Sequence, residues 1–211
     1  RNFGILMHKA FEQAEDERQI REAVDAMRAD GTLTDDQAAR LGKAIDRALE
    51  TYLKKGYSED WIHQRILSIR VRNELTAEWQ ARGVEQGREY AILTDEITKA
   101  WSGMTTRQYK NLKGLKKENL RDNMSTTEII LNMLAETSTK DISKKERPEG
   151  FSESMKVARR GGKVASIART ALEAETGEPV ITSQNAAQLN TVVTDMIEGV
   201  AEADKPNGDE K

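Results

Sequence analysis

The sequence predicts an all-α protein, a multi-helix bundle with an N-terminal helical hairpin. Three observations carry that prediction. Apolar residues recur at spacings of three and four through most of the 211 residues. Charged residues make up 33% and aromatics only 5%, with 3 prolines, the composition of helix-rich chains. Outside the short run Val180-Ile-Thr182, no stretch alternates apolar and polar residues as a strand does.

Taken in order, Phe3 to about Ala29 reads as one helix carrying Ile5, Leu6, Phe11, Ile20, Val24 and Met27. Its polar middle, Gln13 to Gln19, suggests that its first turns pack differently, against another chain. Gly31 stops this helix and Thr34 caps the next. Asp35 to about Lys55 then places Ala38, Leu41, Ala44, Ile45, Ala48, Leu49 and Tyr52 on one face. The two helices form an antiparallel hairpin with little core of its own, which points to self-association through residues 1–56.

Gly56 ends the hairpin, and Ser58-Glu-Asp opens a helix running to about Arg82. Its expected buried residues are Trp61, Ile62, Ile66, Ile69, Leu75 and Trp79, while Arg65, Arg70 and Arg72 with Glu74 and Glu78 read as a solvated face. Glu89 to Ala100 makes the next helix, with Tyr90, Ile92, Leu93, Ile97 and Trp101 apolar. Thr105 or Thr106 caps a short helix that Gly114 ends, and Ser125-Thr-Thr-Glu128 is a capping box for a longer one, expected to fray near Thr137-Ser-Thr139. The polar run Lys140 to Gly150 reads as a loop or internal boundary. A helix follows in which Gly161-Gly162 marks a break, a kink or a close backbone approach, since two mid-helix glycines cost about 2 kcal/mol against alanines. Gly177-Glu-Pro179 ends that region, Ser183 to about Ala203 reads as a last helix, and 205–211 as a disordered tail. The expected organisation is a hairpin (1–56), a helical core (57–176), a C-terminal helix (177–204) and the tail.

The net charge of −3 is unevenly spread. Residues 1–104 sum to about −3, 105–170 to about +7 and 171–211 to about −7. Within the middle block, Arg107, Tyr109, Lys110, Lys113, Lys116, Lys117 and Arg121 are the candidate binding residues, a cationic corner able to meet nucleic acid or an acidic protein surface. Tyr109 either stacks on a base or partner side chain or packs onto Trp101. The three tryptophans, Trp61, Trp79 and Trp101, sit among isoleucines at helical spacing and read as core.

Catalytic signatures are missing. There is no cysteine, His8 and His63 lack a metal-ligand partner at i+3 or i+4, and no serine sits in a nucleophile elbow. Gly161-Gly-Lys163 lacks the strand and glycine spacing of a phosphate loop. The reading is a non-enzyme without cofactor or metal. No apolar run approaches the roughly 20 residues of a membrane span, and the absence of cysteine suits a cytoplasmic setting.

Several runs carry a family resemblance: Lys55-Gly-Tyr-Ser-Glu-Asp-Trp-Ile62, Arg72-Asn-Glu-Leu-Thr-Ala-Glu-Trp79, Tyr90-Ala-Ile-Leu-Thr94, Gly161-Gly-Lys-Val-Ala165 and Thr176-Gly-Glu-Pro-Val-Ile-Thr-Ser183. The longest is Lys110-Asn-Leu-Lys-Gly-Leu-Lys-Lys-Glu-Asn-Leu-Arg-Asp-Asn-Met124. From about Tyr57 to about Ser183 the chain resembles the C-terminal region of bacterial DNA-damage-inducible protein D. It also resembles the region following the recognition domain in phage antirepressor-type proteins of the BRO-N and KilA-N groups, although no domain of those types precedes it here. The resemblance implies a non-catalytic regulator of a phage, a prophage or the DNA-damage response, acting on a repressor- or recombinase-type protein partner. Direct nucleic-acid binding through residues 107–121 is the alternative.

Overall fold

Seven α-helices and one short 3-10 helix, with no strand, make up the described part of the chain, residues 17–188 of a computed structural model. The helices are α1 (Glu17–Ala29), α2 (Asp35–Lys54), α3 (Glu59–Ala81), α4 (Arg88–Ser102), α5 (Thr106–Leu112), α6 (Thr126–Glu146) and α7 (Gly150–Thr176), with the 3-10 turn at Arg121–Asn123. Expectations for the start of the first helix, His8, the body of the last helix and the tail lie outside the described residues. So do those for the side chains of Leu41, Ala44, Ile45, Ala48 and Leu49.

The local signals place the helix starts. Thr34 caps α2 in a reciprocal box with Gln37, and Ser58 caps α3 by accepting from the Trp61 N–H. Between α1 and α2, Val24, Met27, Leu33 and Ala38 are buried, and Arg21 bonds Asp46 at 2.6 Å. At the end of α2, Tyr52, Tyr57 and Trp61 form an aromatic cluster, with Tyr57 and Trp61 stacked at 3.9 Å. The Trp61 indole donates to the Met124 carbonyl at 2.8 Å, and the Tyr57 hydroxyl to that of Asp122. These bonds pin the residues leading into α6 onto α3.

α6 packs along α3 on one side and α7 on the other, and α7 packs in turn on α4. The core between them holds Trp61, Leu75, Trp79, Leu93, Ile97, Trp101, Met124 and Ile129, so the tryptophans are core as expected. Ile69 and Ile92, expected inside, are exposed because α3 and α4 turn other faces to the bundle. The three arginines of α3 do not form a solvated face. Arg65 is buried, and Arg70 and Arg72 are half-buried.

Three further expectations are corrected. α6 does not fray at Thr137–Thr139; it continues to Glu146, and Thr139 is fully buried with its hydroxyl donating to the Ala135 carbonyl. The polar run after it is therefore helix, and the turn to α7 is confined to Arg147, Pro148 and Glu149, anchored by the Gly150 N–H on the Arg82 carbonyl at 2.8 Å. Val180–Thr182 is not a strand. A further helix begins at Ala186, capped by Asn185, whose backbone N–H and side-chain oxygen exchange 2.9 Å bonds with Gln188.

The paired glycines are a close approach. α7 continues unbroken through them, and both are buried. A Cβ on Gly161 would collide with the Thr139 side chain and lie 2.5 Å from its backbone nitrogen. One on Gly162 would lie 2.5 Å from the Ala100 Cβ and 2.9 Å from the Ile97 carbonyl oxygen. Here α7 presents bare backbone to Thr139 of α6 and Ala100 of α4, with no room for a side chain of its own. Gly161→Ala should therefore destabilise the protein by about 1–3 kcal/mol in urea denaturation, because the backbone of α6 has to move. Gly42→Ala in α2, where a Cβ meets nothing within 4 Å, should stabilise by about 0.5–1 kcal/mol. Equal effects of the two substitutions would contradict the close approach.

Candidate functional site: the basic corner and the polar face of α6

The corner is built by local signals. Thr105 and Gln108 form a capping box at the start of α5. Its end is a Schellman turn: Gly114 takes φ 69°, its N–H donates to the Asn111 carbonyl, and the Leu115 N–H reaches the Lys110 carbonyl at 2.9 Å. Beyond it the Glu118 carboxylate accepts from the N–H groups of Lys116 and Lys117, at 2.7 and 2.9 Å. A bond from its own backbone N–H, with those from Lys116 and Lys117, holds the Glu118 carboxyl below its ordinary pKa. Leu120 is buried, the 3-10 turn follows, and Ser125 and Glu128 form the capping box of α6.

The seven candidate residues do not share one surface. Tyr109 is fully buried, with its ring 5.9 Å from Trp101 and its hydroxyl donating to Glu128 Oε1 at 2.7 Å. Of its two readings, packing onto Trp101 is the one the structure adopts. Burial, reinforced by the Glu128 charge, pushes its phenol far above the ordinary range, so it remains a donor. Lys113 reaches Glu128 Oε2 at 2.7 Å, with both side chains wholly inaccessible, and its Nζ also donates to the Gln184 carbonyl at 2.5 Å. Arg121 bonds the buried Glu136, which Arg72 of α3 also approaches at 3.5 Å. Arg107, Lys116 and Lys117 are exposed and Lys110 is half-buried. The expectation of a single cationic surface beside Tyr109 is corrected accordingly. The buried carboxylates of α6 draw Lys113 and Arg121 inward, since an unpaired charge there would be prohibitively costly.

Glu128 and Glu136 belong to a polar stripe. Glu128, Asn132, Glu136, Thr139 and Ser143 are all buried on the inward face of α6. Ser143 donates to Glu78 of α3 at 2.9 Å, and the neighbouring Lys140 pairs with Glu74 at 2.6 Å. Arg72 also bonds the Thr94 hydroxyl and lies 4.9 Å from the Trp79 ring centroid. Burial pulls its pKa below the usual value against the opposing pull of Glu136. Arg65 donates to Asp122 at 2.7 Å. Glu128, Glu136, Arg65, Arg72 and Asp122 were not among the sequence candidates. The available signal was the recurrence of Glu128, Asn132, Glu136 and Lys140 every four residues on one helix face. Chemically, the arrangement holds paired charges in place. Among the described residues no three His, Asp or Glu converge to hold a metal ion, and no helix is long and apolar enough to cross a membrane.

Residues 63–188, more than half of the chain, match the DinD C-terminal domain family. The chain belongs to this family. It is a family of DNA-damage-inducible proteins, which accords with the resemblance read from the sequence. No curated protein sequence matches the chain. Most of α3, all of α4–α7, the basic corner and the polar stripe lie inside the DinD C-terminal match.

The buried Lys113–Glu128 pair gives a direct test. Lys113→Met leaves the Glu128 carboxyl buried without its cation and should cost about 3–5 kcal/mol in urea denaturation. Adding Glu128→Gln should recover a large part of that loss, because the unpaired carboxyl is gone. A Lys113→Met variant as stable as the wild type would contradict the pairing.

Proposed function

We propose that this DinD C-terminal domain protein is a non-catalytic regulator in the DNA-damage response, or in a phage or prophage, that binds a protein partner of repressor or recombinase type. One observation carries the reading: the aromatic and two of the cations that would form a nucleic-acid platform, Tyr109, Lys113 and Arg121, are used inside the fold. Single-stranded nucleic acid is bound by aromatic faces interleaved with cations along a groove. Here Tyr109 and Lys113 are buried, Arg121 is engaged by Glu136, and the exposed Lys116 and Lys117 flank the Glu118 carboxylate. Scattered exposed cations such as Arg107, Lys116 and Lys117 suit the rim of a protein interface, where they steer an acidic partner.

Direct nucleic-acid binding is the competing reading, because the same three cations are exposed. Biolayer interferometry at physiological salt separates the two. The protein should bind a recombinase filament or a damage-response repressor, and should bind neither naked single-stranded nor duplex DNA. Lys116→Glu with Lys117→Glu should slow association without unfolding the protein. Binding to naked DNA that falls steeply with salt and vanishes in the charge-reversed variant would establish the alternative.

A further inference from the structure

α7 turns one face to its neighbours and the other to solvent. Ser154, Val157, Ala158, Gly161, Gly162 and Ala165 are its buried residues. On the opposite side Lys156, Arg160, Lys163, Ile167, Ala171 and Ala174 recur at spacings of three and four, and all six are exposed. This outer row is about 27 Å long. Its character changes along its length, three cations first and then three apolar residues. Ile167 is 61% exposed, and Val164 beside it 41%.

A solvated helix face ordinarily mixes both signs of charge at one-turn spacing. Between Glu153 and Glu173, however, α7 carries no carboxylate. Lys156 with Arg160, and Arg159 with Lys163, are like charges one turn apart, which weaken a helix. The two arginines are answered from other helices, Arg160 by Glu146 of α6 at 2.7 Å and Arg159 by Glu96 of α4 at 2.8 Å. Lys156 and Lys163 have no ion-pair partner among the described residues. The row therefore presents two unanswered cations in line with an uncovered isoleucine.

We propose that the outer row of α7 docks a protein segment of complementary order, with carboxylates at one end and a bulky apolar side chain at the other. The proposal rests on the protein-partner reading above and adds a second surface to the exposed corner cations. Lys156, Arg160 and Lys163 meet the carboxylates. Ala171 and Ala174 leave a shallow bed beside Ile167 that the bulky side chain fills. The order of residues along the row singles out this occupant. A nucleic-acid strand would neutralise the cations but find no aromatic to stack on, and would leave Ile167 uncovered. A membrane-surface helix keeps an apolar face along its whole length with a basic face opposite, whereas here cations and apolar residues follow one another on one line.

Interferometry with the full chain against a recombinase filament and a damage-response repressor tests the row. In Lys156→Glu with Lys163→Glu, each introduced carboxylate lies one turn from an arginine, Arg160 and Arg159 respectively, so the melting temperature should not fall. Association should nevertheless slow about tenfold and lose most of its salt dependence. Ile167→Ser should instead speed dissociation about tenfold and leave the salt dependence as it is. Wild-type kinetics in both variants would overturn this proposal and leave the protein-partner reading standing. Failure of the wild type to bind either protein would overturn that reading and this proposal with it. Three other results would assign the row to a different occupant and overturn the proposal: binding of naked duplex DNA lost in the charge-reversed variant, binding of anionic vesicles lost in Ile167→Ser, or self-association in light scattering lost in Ile167→Ser.

Discussion

A carboxylate in a protein interior is tolerated only where cations and hydrogen-bond donors meet it, and α6 places two of them, Glu128 and Glu136, on its inward face. Much of the arrangement around α6 answers that constraint. Glu128 gathers Tyr109 from α5 and Lys113 from its C-cap, the Ser125 N–H from its own cap, and through Lys113 the returning Gln184. Glu136 gathers Arg121 from the 3-10 turn and Arg72 from α3. An apolar face alone leaves a helix some freedom to rotate or slide, whereas these directional bonds fix both its rotation and its register against α3 and α5.

The same inward face of α6 also receives the close approach of α7. At Gly161 and Gly162 the α7 backbone lies against Thr139 of α6 and Ala100 of α4, so α7 wedges between two helices rather than resting across them. Polar bonds from Glu128 and Glu136 and the close contact at Thr139 together hold the buried face of α6. The corner residues 105–124 then serve first as the N-terminal clamp of α6. Whatever partner-facing role the corner has falls to the cations that the clamp does not use.

What was legible in the sequence follows the range of the forces involved. The caps at Thr34, Ser58, Thr105 and Ser125 could be read because each bond closes within three residues. The tryptophan core could be read because helical spacing places all three among isoleucines. Thr137–Thr139 looked like a fraying end because threonine is a poor helix former, yet the α7 contact at Gly161 overrides that preference. The fate of the basic corner could not be read from its own residues. Lys113 finds Glu128 15 residues on and Gln184 71 residues on, and Arg72 finds Glu136 64 residues away. A lysine written beside other lysines gives no sign of which one folds inward.

The central claim is that the polar face of α6 takes part of the basic corner into the core, and lysine reactivity reads it most directly. The native protein is treated briefly with an acetylating reagent and the modified sites are quantified by mass spectrometry. Lys116 and Lys117 should be modified rapidly, and Lys113 only after denaturation. Modification of Lys113 in the native protein at the rate of Lys116 would contradict the account.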